Sequence, residues 1–166
     1  MALKLLMKLK TLVMTDDSPT TILIRIMVGG IFLAEGIQKF LYLDELAAGR
    51  FAKIGIPAPD LMGPFVGGVE TWFGFLILLG CLTRLSAVPL LVTMAVAMLS
   101  TKIPVLLGHG FWGFSLKELP RYGFLSMLHD ARNDLCLIFG LIFLSIEGGG
   151  RWSVDKAILR RLEYAS

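Results

Sequence analysis

The 166-residue chain is 55% hydrophobic and only 17% charged, with a mean hydropathy of +0.74. Soluble domains of this length seldom have that composition, and several apolar runs approach the ~20 residues a membrane helix needs. A net charge of +3 with pI near 9.0 does not point to nucleic acid, because the cations gather at the two ends beside apolar segments, while two cysteines and two histidines leave no metal-binding pattern.

Residues 1–14 set Lys4, Lys8 and Lys10 among leucines. The lysines interrupt the apolar run and no small-residue cleavage site follows, so a surface-lying amphipathic helix is expected rather than a signal peptide. A first crossing is predicted over about 18–43, with Ser18 as N-cap and Pro19 in the first turn. It is apolar yet carries Arg25, Glu35 and Lys39. On a helical wheel Arg25, Gly29, Phe32, Gly36 and Lys39 fall within about 80° of one another, with Glu35 beside Lys39 at i,i+4. Such a stripe should face protein or water, since an ionisable group in lipid costs several kcal/mol.

A loop of mixed charge, 44–60, ends in prolines that suit a helix start at Pro59. The second crossing, about 61–82, repeats the pattern: Gly63, Gly67, Glu70, Gly74 and Cys81 share a face within about 60°. Small residues there let a neighbouring helix approach closely, and Glu70 must be protonated or paired. Gly80, off the centre of this stripe, is expected to tolerate a larger side chain better than Gly67 or Gly74.

The short turn at Thr83-Arg84 predicts an antiparallel hairpin with a third crossing over about 85–107, whose end should fray at Thr101-Lys102-Ile103-Pro104. The aromatic-rich stretch 108–128 suits a membrane–water interface. A fourth crossing is placed at about 130–147, its first turns carrying Asp130, Arg132 and Asp134 into the bundle; a short re-entrant helix is the alternative. Glycines end it, and Ser153 caps a final amphipathic helix over about 153–164.

The expected fold is therefore all-α, an integral membrane four-helix bundle with amphipathic surface helices at both ends. Lysines at the N-terminus, Arg84, and Arg151, Lys156, Arg160 and Arg161 near the C-terminus place both termini on the cytoplasmic side of the plasma membrane. All four helices then bring ionisable groups, among them Lys102, to one depth in the outer half. Arg25, Glu35, Lys39, Glu70, Asp130, Arg132 and Asp134 are the ligand-binding or ion-pair candidates. Cys81 and Cys136 fall at different depths and are read as packing residues.

The ordered set Arg25, Gly29, Phe32, Gly36 and Lys39-Phe40, then Gly55-Ile56-Pro57, Glu70 with Gly74, Gly80-x-x-Thr83-Arg84 and Gly148-Gly149-Gly150-Arg151-Trp152-Ser153-Val154-Asp155 resembles the DoxX-like membrane proteins. The resemblance runs from about Arg25 to Asp155 and implies a four-helix membrane bundle. It also implies a place among proteins of which some are subunits of quinone-linked oxidoreductase complexes, others are associated with thiol redox or copper-peptide systems, and many have no assigned activity.

Two functions stand. The first is a membrane subunit of a redox complex binding a quinone or similar lipophilic ligand in the outer half of the bundle. A donor such as Lys39, Arg132 or His129 would meet the carbonyl and Glu35 or Glu70 would accept a proton. With no intrinsic cofactor motif, a protein partner must then supply electrons. A haem between His109 and His129 is disfavoured, since His109 falls in the interfacial loop. The second is a non-enzymatic membrane scaffold or small transporter subunit, acting with a partner or as a homo-oligomer, whose intramembrane charges are structural pairs.

Overall fold

A computed structural model describes residues 13–164, so nearly all of the expected N-terminal amphipathic segment, 1–14, lies outside the described residues. Among these every regular element is a helix. The elements are α1 (Thr21–Leu41), the short α2 (Leu43–Leu46) and α3 (Ala48–Ile54), then α4 (Pro59–Leu79) and α5 (Thr83–Ala97). A π-turn (Met98–Lys102) leads into α6 (Ile103–Leu107), followed by α7 (Phe124–Glu147) and α8 (Val154–Tyr164). Thr21–Leu41, Pro59–Leu79 and the continuous Thr83–Leu107 are long and apolar enough to cross a membrane. α7 matches them in length at 24 residues, but its first half carries His129, Asp130, Arg132 and Asp134.

Local chemistry sets most of the ends. Pro59 opens α4, where its missing N–H costs nothing, after Ala58 turns through left-handed φ. Gly80, at φ +66°, closes α4: its N–H bonds to the Ile77 carbonyl and that of Cys81 to the Leu76 carbonyl, a Schellman arrangement that only glycine adopts without strain. Gly148, at φ +80°, ends α7. Ser153 caps α8 as expected, its Oγ accepting from the Lys156 N–H at 3.1 Å.

Three local expectations are corrected. Ser18 does not cap α1: its hydroxyl pairs with Thr20 and its carbonyl accepts the Arg151 N–H, which ties the entry of α1 to the chain after α7. The stretch at Thr101-Pro104 is not a fraying end. Pro104 has no N–H to offer the Ser100 carbonyl, and the helix absorbs the loss as a π-turn, in which the Ile103 N–H reaches the Met98 carbonyl before the helix continues to Leu107. α7 starts at Phe124, well before Asp130, so its charged positions stand inside a helix rather than at its first turn.

The long helices form a four-membered bundle in which α1 packs most extensively on α4, and α5 on α7. The α1–α4 contact is backbone on backbone. A Cβ on Gly29 would stand 2.8 Å from the Gly74 carbonyl oxygen, and one on Gly74 would stand 2.7 Å from the Leu33 nitrogen. Val28, Phe32, Ile77, Leu90, Leu141 and Leu144 fill the centre between the pairs.

Candidate functional site

The buried face of α1 comprises Thr21, Arg25, Val28, Gly29, Phe32, Gly36 and Lys39, and that of α4 comprises Gly63, Gly67, Glu70, Gly74 and Ile77. Glycine contact draws the two helices together and so brings their charges into range. Lys39 Nζ lies 2.6 Å from Glu70 Oε2, both residues buried, and 3.7 Å from Glu35, whose side chain is half exposed. One ion-pair cluster thus joins α1 to α4.

A second cluster joins the other pair. The π-turn presents the buried Lys102 to α7, where its ammonium lies 2.8 Å from Asp130 Oδ2, 3.0 Å from Asp134 Oδ2 and 3.1 Å from the Asp130 carbonyl. Asp130 also receives Lys117 at 3.0 Å, from the loop before α7. An ammonium has three N–H donors. Lys102 has three acceptors within 3.1 Å, two on Asp130 by hydrogen bonds and one on Asp134 as an ion pair, whereas among the described residues Lys39 hydrogen-bonds to Glu70, with Glu35 at ion-pair distance. The two lysines are therefore unlike: Lys102 is the more fully surrounded by acceptors, and Lys39 has donor capacity to spare.

Between the clusters lies a cavity of about 450 Å³. Glu35, Lys39, Glu70, Lys102 and Asp134 line it, with Asn133 beside them and Arg50 of α3 at its edge. Its remaining walls are mostly apolar, among them Phe32, Phe51, Phe65, Met94 and Leu137, with the hydroxyls of Thr93, Ser100 and Thr101 between them. The formal charges of the lining cancel: Lys39, Arg50 and Lys102 against Glu35, Glu70 and Asp134. Among the described residues no carboxylate pairs with Arg50, and no group of three or more His, Cys, Asp or Glu stands ready for a metal ion.

Arg25 shares the α1 face with Lys39 but sits roughly 21 Å along the axis, at 1.5 Å per residue. There its guanidinium donates to the Ile77 carbonyl at 2.9 Å, to Leu78, to Gly149 at 3.2 Å and to Trp152 at 2.5 Å. A cation on the last carbonyls of α4 also complements that helix dipole. Next to it the buried Asp155 accepts from the Leu82 N–H at 2.7 Å, and from the Thr83 N–H at 2.9 Å and hydroxyl at 2.8 Å, capping α5 from a distant part of the chain. This end of the molecule is a clasp, separate from the cavity.

Of the sequence-predicted candidates, Glu35, Lys39 and Glu70 come together, Asp130 and Asp134 gather on Lys102, and Asp134 also reaches the cavity. Arg132 stands apart on the exposed face of α7, its guanidinium bonded to the His129 ring at 2.8 Å and carbonyl at 2.9 Å. Sequence reasoning noted Lys102 for its depth but did not select it, named Asp155 only within the family resemblance, and passed over Arg50. The signals were present: a lone lysine in an otherwise apolar third segment, and an aspartate two residues beyond a helix-capping serine.

The sequence model of the DoxX family matches residues 20–103. The chain is 47% identical over 146 residues to the uncharacterized membrane protein Rv3486 of Mycobacterium tuberculosis, covering 88% of this chain and 85% of that protein. No solved structure matches significantly.

Proposed function

The chain belongs to the DoxX family of membrane proteins, and from that premise we propose that it binds a small, neutral, lipophilic ligand with a polar head, a quinone fitting best, in the cavity between its two ion-pair clusters. The observation that carries this reading is the cavity itself: about 450 Å³, mostly apolar, charge-balanced, and with one ammonium, Lys39, retaining free donor capacity. Ligand pockets typically combine that size and apolar lining with a few convergent polar groups. The residues present suit a quinone head. Lys39 would donate to a carbonyl oxygen, the half-exposed Glu35 is the acceptor for a proton exchanged with the ligand, and the aromatic walls would hold ring and tail. A quinone would supply two-electron carriage, with a partner subunit providing the electrons.

In this reading α7 is the fourth crossing, both termini and Arg84 face the cytoplasm across the plasma membrane, and the cavity opens in the outer half. A second reading has support of its own. Lys102 is held by its own two aspartates and Lys39 is already neutralised, as expected of pairs that lock helices in a scaffold or small transporter subunit. One experiment separates the two. The protein is purified in mild detergent, co-purifying small molecules are extracted for mass spectrometry, and the folded Lys39→Met/Glu70→Gln double variant is treated alike. A lipophilic carbonyl compound held by the native protein and lost from the double variant supports ligand binding. Identical extracts from both refute it.

A further inference from the structure

Where α4 ends and α8 begins, away from the cavity, the surface carries a shallow concavity of about 390 Å³ lined by Leu79, Arg151, Trp152, Lys156 and Arg160. Its lining is mixed. Leu79, the last residue of a membrane-length helix, supplies an exposed apolar edge; Trp152, 65% exposed, supplies an aromatic one; the three cations come from α8 and the turn before it. Among the described residues the carboxylate that meets this group is Asp17, 3.1 Å from Lys156. Arg151 and Arg160 have no ion-pair partner there, and both are exposed. The Asp17 carboxyl is held below the usual aspartate range by its hydrogen bond to Lys156 and by the charges of Lys156, Arg151 and Arg160, so one point feels all three cations.

We propose that this concavity is a headgroup site for an anionic phospholipid, with Arg151 and Arg160 on the phosphate, the Trp152 ring at the headgroup–acyl boundary and an acyl chain along Leu79. The geometry is that of an interfacial site. A pair of guanidinium groups with no ion-pair partner among the described residues sits directly beside the end of an apolar helix, and a tryptophan shares their rim, as aromatic residues do at membrane–water interfaces. A soluble anion would use the cations but leave the adjoining apolar edge without a role. The clasp fixes the site in place, because the Trp152 carbonyl is held by Arg25 and the Asp155 N–H by the Gly80 carbonyl.

The test uses the full chain in neutral detergent and three probes in native mass spectrometry: dioleoyl phosphatidylglycerol, dioleoyl phosphatidylcholine and glycerol phosphate. The native protein should retain phosphatidylglycerol in preference to the other two. Arg151→Gln/Arg160→Gln should weaken that retention roughly twenty-five-fold, from a factor of about five per basic residue near a membrane surface. Arg151→Lys/Arg160→Lys should keep most of it, and Arg121→Gln, which removes an exposed charge from the loop before α7, should leave it unchanged. Added salt should weaken binding to the native protein, a readout that does not depend on any variant folding. Equal retention of phosphatidylcholine, retention of glycerol phosphate as strong as that of the lipid, an unaffected double glutamine variant, or salt-independent binding would each overturn the proposal.

Discussion

Replacing Lys39 by methionine removes the ammonium from a site where Glu70 is 95% buried and 2.6 Å away. Methionine fills much the same volume, so the main consequence is an uncompensated carboxylate, a loss of about 3–5 kcal/mol when one partner of a buried pair is taken away. Glu35 adds little, being 3.7 Å away and half exposed. For a domain of this size about 2–4 °C of melting temperature accompanies each kcal/mol, so Lys39→Met should lower the melting point in detergent by roughly 10 °C. Adding Glu70→Gln removes the stranded charge and should recover at least half of the loss, a coupling of about 2–3 kcal/mol within the range for residues in contact. Adding Glu35→Gln instead should recover almost nothing. The measurement is a melt of the four proteins in one detergent at one lipid content. Equal rescue by Glu35→Gln, or none by Glu70→Gln, would refute the assignment of Glu70 as the partner and with it the account of how α1 and α4 are locked.

Gly74→Leu should cost about 1–3 kcal/mol by forcing α1 and α4 apart, read as a lowered melting point. Gly80→Leu should cost at least as much, against the expectation from the wheel, because a Cβ there would stand 2.5 Å from that of Ser153 and the backbone is at φ +66°. Asp155→Ala should cost about 2–4 kcal/mol, since it orphans a buried and a part-buried backbone donor and the buried Thr83 hydroxyl, and proteolysis should then cut first between α7 and α8. Reporters fused after Arg84 or Ser166 should read cytoplasmic and one near Gly110 external; a cytoplasmic reading at Gly110 would remove α7 as a crossing.

The faces of the first and second helices were legible because periodicity is a local property. The stripes around Gly29, Gly36, Gly67 and Gly74 are the faces that meet. Periodicity fails where the helix does. Gly80 and Cys81 belong to the α4 wheel only if the helix continues, and it ends at Leu79. A wheel also discards height, which is why Arg25 looked like a companion of Lys39. Choosing between Glu35 and Glu70 for Lys39 required knowing how closely two helices approach, a long-range quantity that one sequence does not contain. Pro104 was a visible signal with two physical outcomes, a stopped helix or a π-turn, and the packing of Lys102 against α7 selects the second.

The two lysines of the cavity separate structural from ligand-binding roles more sharply than their burial does. Lys102 and Lys39 are nearly equally buried, at 8% and 7% exposure, so desolvation treats them alike. They differ in acceptors among the described residues: Lys102 has three within 3.1 Å, Lys39 one hydrogen-bonded acceptor, with Glu35 farther off at 3.7 Å. An ammonium with three acceptors so close gains little from a ligand carbonyl unless it first gives up an aspartate. The Lys102 cluster should therefore hold the π-turn on α7 whether or not a ligand is bound. Lys39 can accept one more partner without losing Glu70, and the cavity is where that partner would stand. Lys102→Met should consequently lower the melting point by the same amount with and without added ligand, whereas the thermal shift that ligand confers should vanish in Lys39→Met/Glu70→Gln. A ligand-induced shift preserved in that double variant, but lost in a folded Lys102→Met, would reverse the two roles.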